Sequence, residues 1–484
     1  MHNKVNTRTV LANSNINFGT SGARGLVTDF TNDVCQAYMY AFVAVLQKKY
    51  QFSQLALGID NRPDSESIAQ RCAAALLALG IEPFYCGVLP TPALASYAMQ
   101  SEIPCVMVTG SHIPFDRNGL KFYTPDGEID KEDEANINLS EVFFTPSDIM
   151  PQLVKSDIAS ERYLQRYISF FGRDILQGKK IGIYEHSSAG RDLYPVLFTR
   201  LGAEIVSLER SDKFVPIDTE AVSEEDRLKA KKWSAEYNFD AIFSTDGDGD
   251  RPLVADETGE WLRGDILGLL SAQALKIDAL AVPISCNTAI ELSGAFVTVS
   301  RTRIGSPYVI EEFDNLKKVG THIAGFEANG GFLLGSDIHL NGTTLHALPT
   351  RDAVLPALVL FVASRAGTIS SLVQKLPCRY TCSDRITDFP GEISNTILSA
   401  AILNPQSFIN ELGFSGMSVT SIETTDGLRI TLSNNDIIHL RPSGNAPELR
   451  CYSESHDVNT ATANVRNALK NIVSVNLKNI RIPE

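Results

Sequence analysis

Leu55-Ala56-Leu57-Gly58-Ile59 is a short apolar run cut off by Asp60-Asn61-Arg62-Pro63, and Ser65 to Leu79 follows with Ala69, Cys72, Ala73, Leu76 and Leu77 at helical spacing. An apolar run of that length, ending in polar residues, is a buried strand with its exit loop, and Gly80 caps the helix that follows. The rhythm continues outward. A second strand-like run ends at Val88, Thr91 to Met99 is helical, and Pro104 to Val108 is strand-like again. Strands alternating with helices predict parallel βαβ units. The pattern returns from Lys180 (Ile181 to Glu185, a helix over Asp192 to Leu201, then Ala203 to Glu209) and again at Ala241 to Thr245. It returns once more over Asp265 to Lys276, Leu280 to Ile284 and His322 to Phe326. After Pro377 the texture changes: Met417 to Thr424, Gly427 to Leu432 and Ile437 to Arg441 alternate and are joined by Asp-Gly and Asn-Asn-Asp turns, which predicts antiparallel strands. Asn459 to Val473 reads as a closing amphipathic helix.

The chain is therefore expected to be α/β, with three related α/β domains of mixed or parallel sheets (1–150, 151–256 and 257–372) and a smaller C-terminal α+β domain (373–484). Its 484 residues give a soft prior of about three domains, so the last unit is one more than length alone suggests. With 43 Lys plus Arg against 57 Asp plus Glu, the net charge is −14. That disfavours nucleic acid or an anionic membrane as the main partner, since both bind clustered cations. The eight cysteines are scattered without a CxxC pair, most of them in apolar runs, which predicts buried free thiols in a reduced compartment. The N-terminus lacks the apolar core of a signal peptide, and the longest apolar run, Ala353 to Ala363, contains Pro356 and is too short to span a bilayer. A cytoplasmic protein is expected.

Four loops carry chemistry. Thr109-Gly110-Ser111-His112-Ile113-Pro114 follows a strand, where α/β sheets place ligands. Lys121 lies close behind, after Arg117-Asn118-Gly119. No GxSxG elbow surrounds the serine, so a hydrolase nucleophile is disfavoured, and taken alone this is equally a turn serine with solvated neighbours. The second loop, Asp246-Gly247-Asp248-Gly249-Asp250-Arg251, sets three carboxylates at alternate positions, within reach of one divalent cation. Without a cation they would raise one another's pKa. An EF-hand is the competing template, but Arg251 stands where its turn needs glycine and a strand precedes the loop. The third, Gly325-Phe326-Glu327-Ala328-Asn329-Gly330-Gly331, offers a carboxylate and an amide for adjacent sugar hydroxyls, or is simply a glycine-rich turn. The fourth, Arg441-Pro442-Ser443-Gly444-Asn445-Ala446-Pro447-Glu448, reads either as an anion nest for a phosphate or as a Pro-Gly turn. Other templates fail: Gly172 to Lys180 is not a P-loop, no GxGxxG follows a strand, and the histidines have no metalloprotease spacing.

In combination and in order, Phe18-Gly19-Thr20-Ser21-Gly22-Ala23-Arg24-Gly25, then these four loops, resemble the α-D-phosphohexomutase family over essentially the whole chain. The resemblance implies four domains around a central cleft and an enzyme that interconverts hexose 6-phosphate and hexose 1-phosphate. Ser111 would be the phosphoserine, with Asp246, Asp248 and Asp250 holding Mg²⁺ against its phosphate. Lys121 would be the general acid/base. Arg24 and His112 would support the phosphoserine, and Arg251 would stand beside the metal. Glu327 and Asn329 would grip sugar hydroxyls, and Arg441, Ser443, Gly444 and Asn445 the non-reacting phosphate. A hexose 1,6-bisphosphate would be intermediate and activator, and the protein a monomer or homodimer. Two departures bear on the sugar. The third loop has Asn329 and Gly331 where many relatives carry Ser and then His or Asn, and Ser306 stands where a Gly-His pair is common. Mannose is placed ahead of glucose and glucosamine. A Mg²⁺-dependent sugar phosphatase and a non-catalytic sugar-phosphate binder are the competing readings.

Overall fold

The structure is a computed structural model and describes residues 4–19, 21–340, 342–443 and 447–475. The opening βαβ pattern forms as read. Gln54–Ile59 pairs in parallel with both Glu82–Val88 and Cys105–Val108, with helices Ser65–Ala78 and Thr91–Gln100 as crossovers. Its apolar continuity follows from being covered on both faces. Leu55, Leu57 and Ile59 pack into a core with residues of Asn32–Leu46 and Ser65–Ala78, while Ala56, Cys105 and Met107 face Ala93 and Leu94 of Thr91–Gln100. Gly58 belongs to that second face: a Cβ there would stand 2.7 Å from Leu89 and 2.9 Å from Leu94, so only glycine lets the crossover close down.

The sheets are mixed rather than purely parallel. Arg117–Thr124 returns antiparallel beside Cys105–Val108, and Pro252–Ala255 does the same beside Ala241–Thr245. Phe332–Leu334 returns beside Ile323–Phe326. The reason is chain length: the short loops 109–116, 246–251 and 327–331 can only reverse direction, whereas a parallel return needs a crossover of about a dozen residues or more. Three chemistry-bearing loops thus sit at equivalent places, each where a parallel strand turns back on itself. The second sheet runs Glu204–Arg210, Lys180–His186, Ala241–Thr245, Pro252–Ala255. The third runs Thr298–Thr302, Ala279–Pro283, Ile323–Phe326, Phe332–Leu334, Leu348–Asp352.

The C-terminal sheet is antiparallel throughout, in the order Tyr380–Ile386, Leu449–Ser455, Ile437–Pro442, Leu428–Leu432, Val419–Glu423. Helices Gly391–Leu403 and Val458–Ile472 close a separate core on it, around Ile397, Leu428, Ile430, Ile438, Leu440 and Val465. Two of its strands, Tyr380–Ile386 and Leu449–Ser455, are not singled out by the sequence, nor are the helices Asn32–Leu46 and Ile158–Phe171. All eight cysteines are free thiols; six are buried, but Cys378 is exposed and Cys382 half-buried. Among the described residues no helix is long and apolar enough to cross a membrane.

Candidate functional site

Ser111 stands at the turn out of Cys105–Val108, with a left-handed φ of 53° that a residue bearing a Cβ adopts only under constraint. The side chain is fully buried. Its Oγ donates to Asp246 Oδ2 at 2.7 Å and lies 3.4 Å from His112 Nδ1. That nitrogen accepts from Arg251 at 2.8 Å, which leaves the ring proton to Nε2. Burial, then the nearby Arg251 and Arg24, push the imidazole well below its ordinary pKa, so His112 is neutral at physiological pH.

The aspartate loop turns between Ala241–Thr245 and Pro252–Ala255, and its three carboxylates are buried with one oxygen of each inside a 4.8 Å span. It is the one such group of three among the described residues. Lys121, on Arg117–Thr124, donates to Asp248 Oδ2 at 2.6 Å and to Asp250 Oδ2 at 2.7 Å. Thr91 donates to Asp248 Oδ2 at 2.6 Å, and Arg351 to Asp250 Oδ2 at 3.0 Å. The three carboxyls divide accordingly. Burial raises all three, and for Asp246 the charges of Asp248 and Asp250 add to it, lifting it well above the usual range. For Asp250, Arg351, Lys121 and Arg251 outweigh burial and hold it far below. For Asp248, burial and the Asp250 charge are outweighed by Lys121 together with the Thr91 hydroxyl, and it is held below the usual range. Asp248 Oδ1 and Asp250 Oδ1 are buried without a hydrogen-bond partner. With Asp246 Oδ2 on the Ser111 hydroxyl, they form a hard-oxygen set that fits a divalent cation beside the serine.

Arg24 lies on Ala23–Leu26, opposite Gly119 of the strand that carries Lys121. Burial, then the neighbouring Arg251, lower its guanidinium to about 10. Among the described residues its guanidinium has neither a hydrogen bond nor an ion pair, which leaves a half-buried cation able to take an anion. Glu327 is buried and accepts from Arg351 at 3.0 Å; Asn329 Oδ1 accepts from Gly331 N at 2.9 Å. Ser111, His112, Lys121, the three aspartates and Arg251 are therefore in one contact network, and Glu327 joins it through Arg351.

The fourth loop stands apart. Arg441 donates to Asp426 Oδ1 at 2.8 Å, and the other oxygen of that carboxylate accepts from Ile304 N at 3.0 Å. Among the described residues Arg441 makes no hydrogen bond or ion pair with the serine or aspartate loop. Ser443 is described, but Gly444 and Asn445 lie outside the described residues. Ser306, the departure noted in the sequence, is buried and donates to Glu128 Oε2 at 2.8 Å; Ser21 donates to Oε1 of the same carboxylate at 2.5 Å.

Sequence reasoning missed Arg351, Thr91, Asp426 and Glu128. The first had a signal: Thr350-Arg351-Asp352 is a polar run inside a strand that leads straight into the apolar helix Val354–Ala363, and all three side chains are buried. A buried arginine must have an acidic partner. Nothing local pointed to Thr91 or Glu128, whose partners Asp248 and Ser306 lie 157 and 178 residues away, and Asp426 reads only as part of an Asp-Gly turn.

Residues 15–140 match the phosphoglucomutase/phosphomannomutase α/β/α domain I, and residues 263–380 match domain III of the same family. The chain is 56% identical to a phosphomannomutase of Salmonella muenchen, over 98% of this chain and 99% of that one. It is 42% identical to a phosphomannomutase of Sinorhizobium fredii, over 92% and 96%. A solved phosphoglucomutase/phosphomannomutase family protein of Burkholderia thailandensis superposes with a TM-score of 0.74 at 17% identity, covering 94% of this chain and 96% of that one, a likeness of fold.

Proposed function

The chain belongs to the phosphoglucomutase/phosphomannomutase family, and from that premise we propose that it is a phosphohexomutase whose Ser111 carries the phosphoryl group between the two ends of a hexose phosphate. The observation that carries the assignment is the Ser111 hydroxyl resting 2.7 Å from Asp246, beside two buried aspartate oxygens that lack a hydrogen-bond partner. Mannose phosphates are the preferred substrates, a reading supported by the 56% identity to a phosphomannomutase.

Asp246, Asp248 and Asp250 would hold Mg²⁺, which when bound neutralises charge on the phosphoryl group in transfer. The chain's own residues do the rest. Arg24 and the neutral His112 flank the phosphoserine. Glu327 and Asn329 orient the sugar, and Arg441, with Ser443, Gly444 and Asn445, holds the phosphate that is not reacting. In the forward step a sugar hydroxyl attacks phosphorus, the bond from phosphorus to Ser111 Oγ breaks, and the hydroxyl's proton passes by way of Lys121 to the departing Ser111 oxygen. The resulting hexose 1,6-bisphosphate turns end for end, and its other phosphoryl returns to Ser111, so nothing is consumed. The same bisphosphate added from outside charges unphosphorylated enzyme. Closure around the sugar keeps water from taking the phosphoryl group.

The same reading divides the chain near 150, 256 and 372. Support comes from the four larger sheets, whose strands lie within 17–128, 180–255, 279–352 and 380–455. It also places the enzyme in the cytoplasm as a monomer or homodimer. Intact-protein mass and peptide mapping test the central claim: one phosphate on Ser111 after incubation with hexose 1,6-bisphosphate and Mg²⁺ is expected. A protein that releases inorganic phosphate from sugar phosphates, with activity surviving Ser111→Ala, would be a phosphatase instead. A coupled assay on the 1-phosphates of mannose, glucose and glucosamine sets the sugar preference.

A further inference from the structure

We propose that Arg62, anchored by Asp60, is a positioning residue for Ser111: its guanidinium gathers the serine loop into the shape that lays the hydroxyl on Asp246. This rests on reading Ser111 as the phosphoryl carrier. Asp60-Asn61-Arg62-Pro63 is the polar exit of the first buried strand. Because Ile59 and Val108 are parallel partners, Asp60 and Thr109 emerge side by side at the C-terminal end of neighbouring strands. Thr109 donates to Asp60 Oδ2 at 2.7 Å and Ser65 to Oδ1 at 2.8 Å. Arg62 donates to the same carboxylate from its backbone N and from Nε, both at 3.1 Å, and neither side chain is exposed at all.

The rest of the guanidinium turns to the serine loop. One terminal nitrogen donates to the carbonyls of Pro114 at 2.7 Å and Arg117 at 3.0 Å; the other donates to Ser111 at 2.6 Å and Ile113 at 2.5 Å. A guanidinium has five N–H donors in a fixed planar fork. With Nε on Asp60, all five are used, so none is left for a phosphate. Arg62 therefore acts through the loop and not on the substrate.

Three further contacts fix the same geometry. Thr109 Oγ1 accepts from Ser111 N at 2.8 Å. Gly110 has no side chain to hold the fork off, since a Cβ there would stand 2.6 Å from Arg62 Cζ. Phe214, from the segment after Glu204–Arg210, covers the guanidinium at 3.9 Å. The loop needs such a clamp. A left-handed serine is strained, and inward carbonyls without donors would each cost a lost hydrogen bond. Four of those carbonyls are met by one side chain.

The test uses the full-length enzyme with Mg²⁺ and hexose 1,6-bisphosphate, and the variants Arg62→Lys, Thr109→Val and Thr109→Ser. Turnover, KM for mannose 1-phosphate and the rate of Ser111 phosphorylation by intact mass are read for each. Arg62→Lys keeps the charge but loses the fork, and kcat and phosphorylation rate should both fall about 10²-fold with KM unchanged. Thr109→Val should fall about tenfold and Thr109→Ser recover, because the hydroxyl is what is used. Wild-type kcat in a folded Arg62→Lys protein would overturn the inference, as would a loss confined to KM. If Arg62→Lys does not fold by circular dichroism, the threonine pair decides, and equal impairment of both would overturn it. Wild-type protein that accepts no phosphate on Ser111 would defeat the phosphoserine reading itself, and the positioning role with it; that result is read before any variant is made.

Discussion

The serine loop and the aspartate loop occupy the same place in their sheets, each the hairpin by which a parallel strand turns back, yet they are held by opposite means. In the serine loop the inward groups are neutral carbonyls, collected by one cation, Arg62, whose own charge is met by Asp60. In the aspartate loop the inward groups are charges, countered by Lys121, Arg351 and Arg251 from outside the loop or at its end. The first arrangement fixes direction, as a transferring atom requires. The second fixes a balance of charge, as a site for a cation requires. A change of shape should therefore damage the serine loop most, and a change of charge the aspartate loop.

The largest break comes from the reacting atom itself. Ser111→Ala should lower turnover by about 10⁴-fold or more while leaving the fold intact, measured by coupled assay and thermal melting. Loss of turnover in that variant with metal binding preserved by calorimetry would separate the two loops cleanly. Next is Asp250→Asn, which removes the negative charge that the cation site uses and that Lys121 and Arg351 share. Turnover should fall about 10²-fold or more. Urea unfolding should show a loss of about 3 kcal/mol, because two buried cations, Lys121 and Arg351, each lose one of their two carboxylate partners. If stability is unchanged, the charge-balance account of this loop is wrong.

Titration sharpens the comparison from below. His186 Nε2 donates to Thr245 O beneath the aspartate loop, and His439 Nε2 donates to Asp426 O under the C-terminal loop. Burial lowers both to about 4, from an ordinary 6.5. Since the unfolded chain binds their protons first, their stabilising contribution is complete above pH 6.5 and is lost as pH falls from there towards 4. The loss is roughly 3 kcal/mol for each. Urea midpoints across that window should fall, and His439→Gln should flatten the C-terminal part of the slope. The smallest effect is expected for Thr91→Val, which removes one donor from Asp248 while Lys121 remains. A loss of about 1–2 kcal/mol should appear in unfolding.

Much of this was legible in the chain. Gln54–Ile59, Ser65–Ala78 and Ala241–Thr245 fall within a residue or so of where apolar runs and helical spacing put them, because local burial pattern is what those signals encode. The aspartate triad was legible for the same kind of reason: three ligands within five residues need no tertiary help to meet. Lys121 was named, but the sequence grouped it with the Ser111 hydroxyl, whereas it bridges Asp248 and Asp250. Sequence proximity to Ser111 was a poor guide there, since the strand Arg117–Thr124 carries the side chain across to another loop.

By itself the sequence determined the alternation of elements, the four loops and the residue types each loop offers, all of which depend on neighbours in the chain. Only the tertiary structure decided what those residues do to one another. Arg351 meets Asp250 and Glu327, Asp426 ties Arg441 to Ile304, and Arg62 spends every donor on Asp60 and the serine loop. Ser306, one of the two departures in the sequence, donates to Glu128, 178 residues away. These are pairings between units distant in sequence. No periodicity or spacing specifies them, because they are fixed by which sheet edges the fold brings together and by the cost of burying a charge or a carbonyl alone.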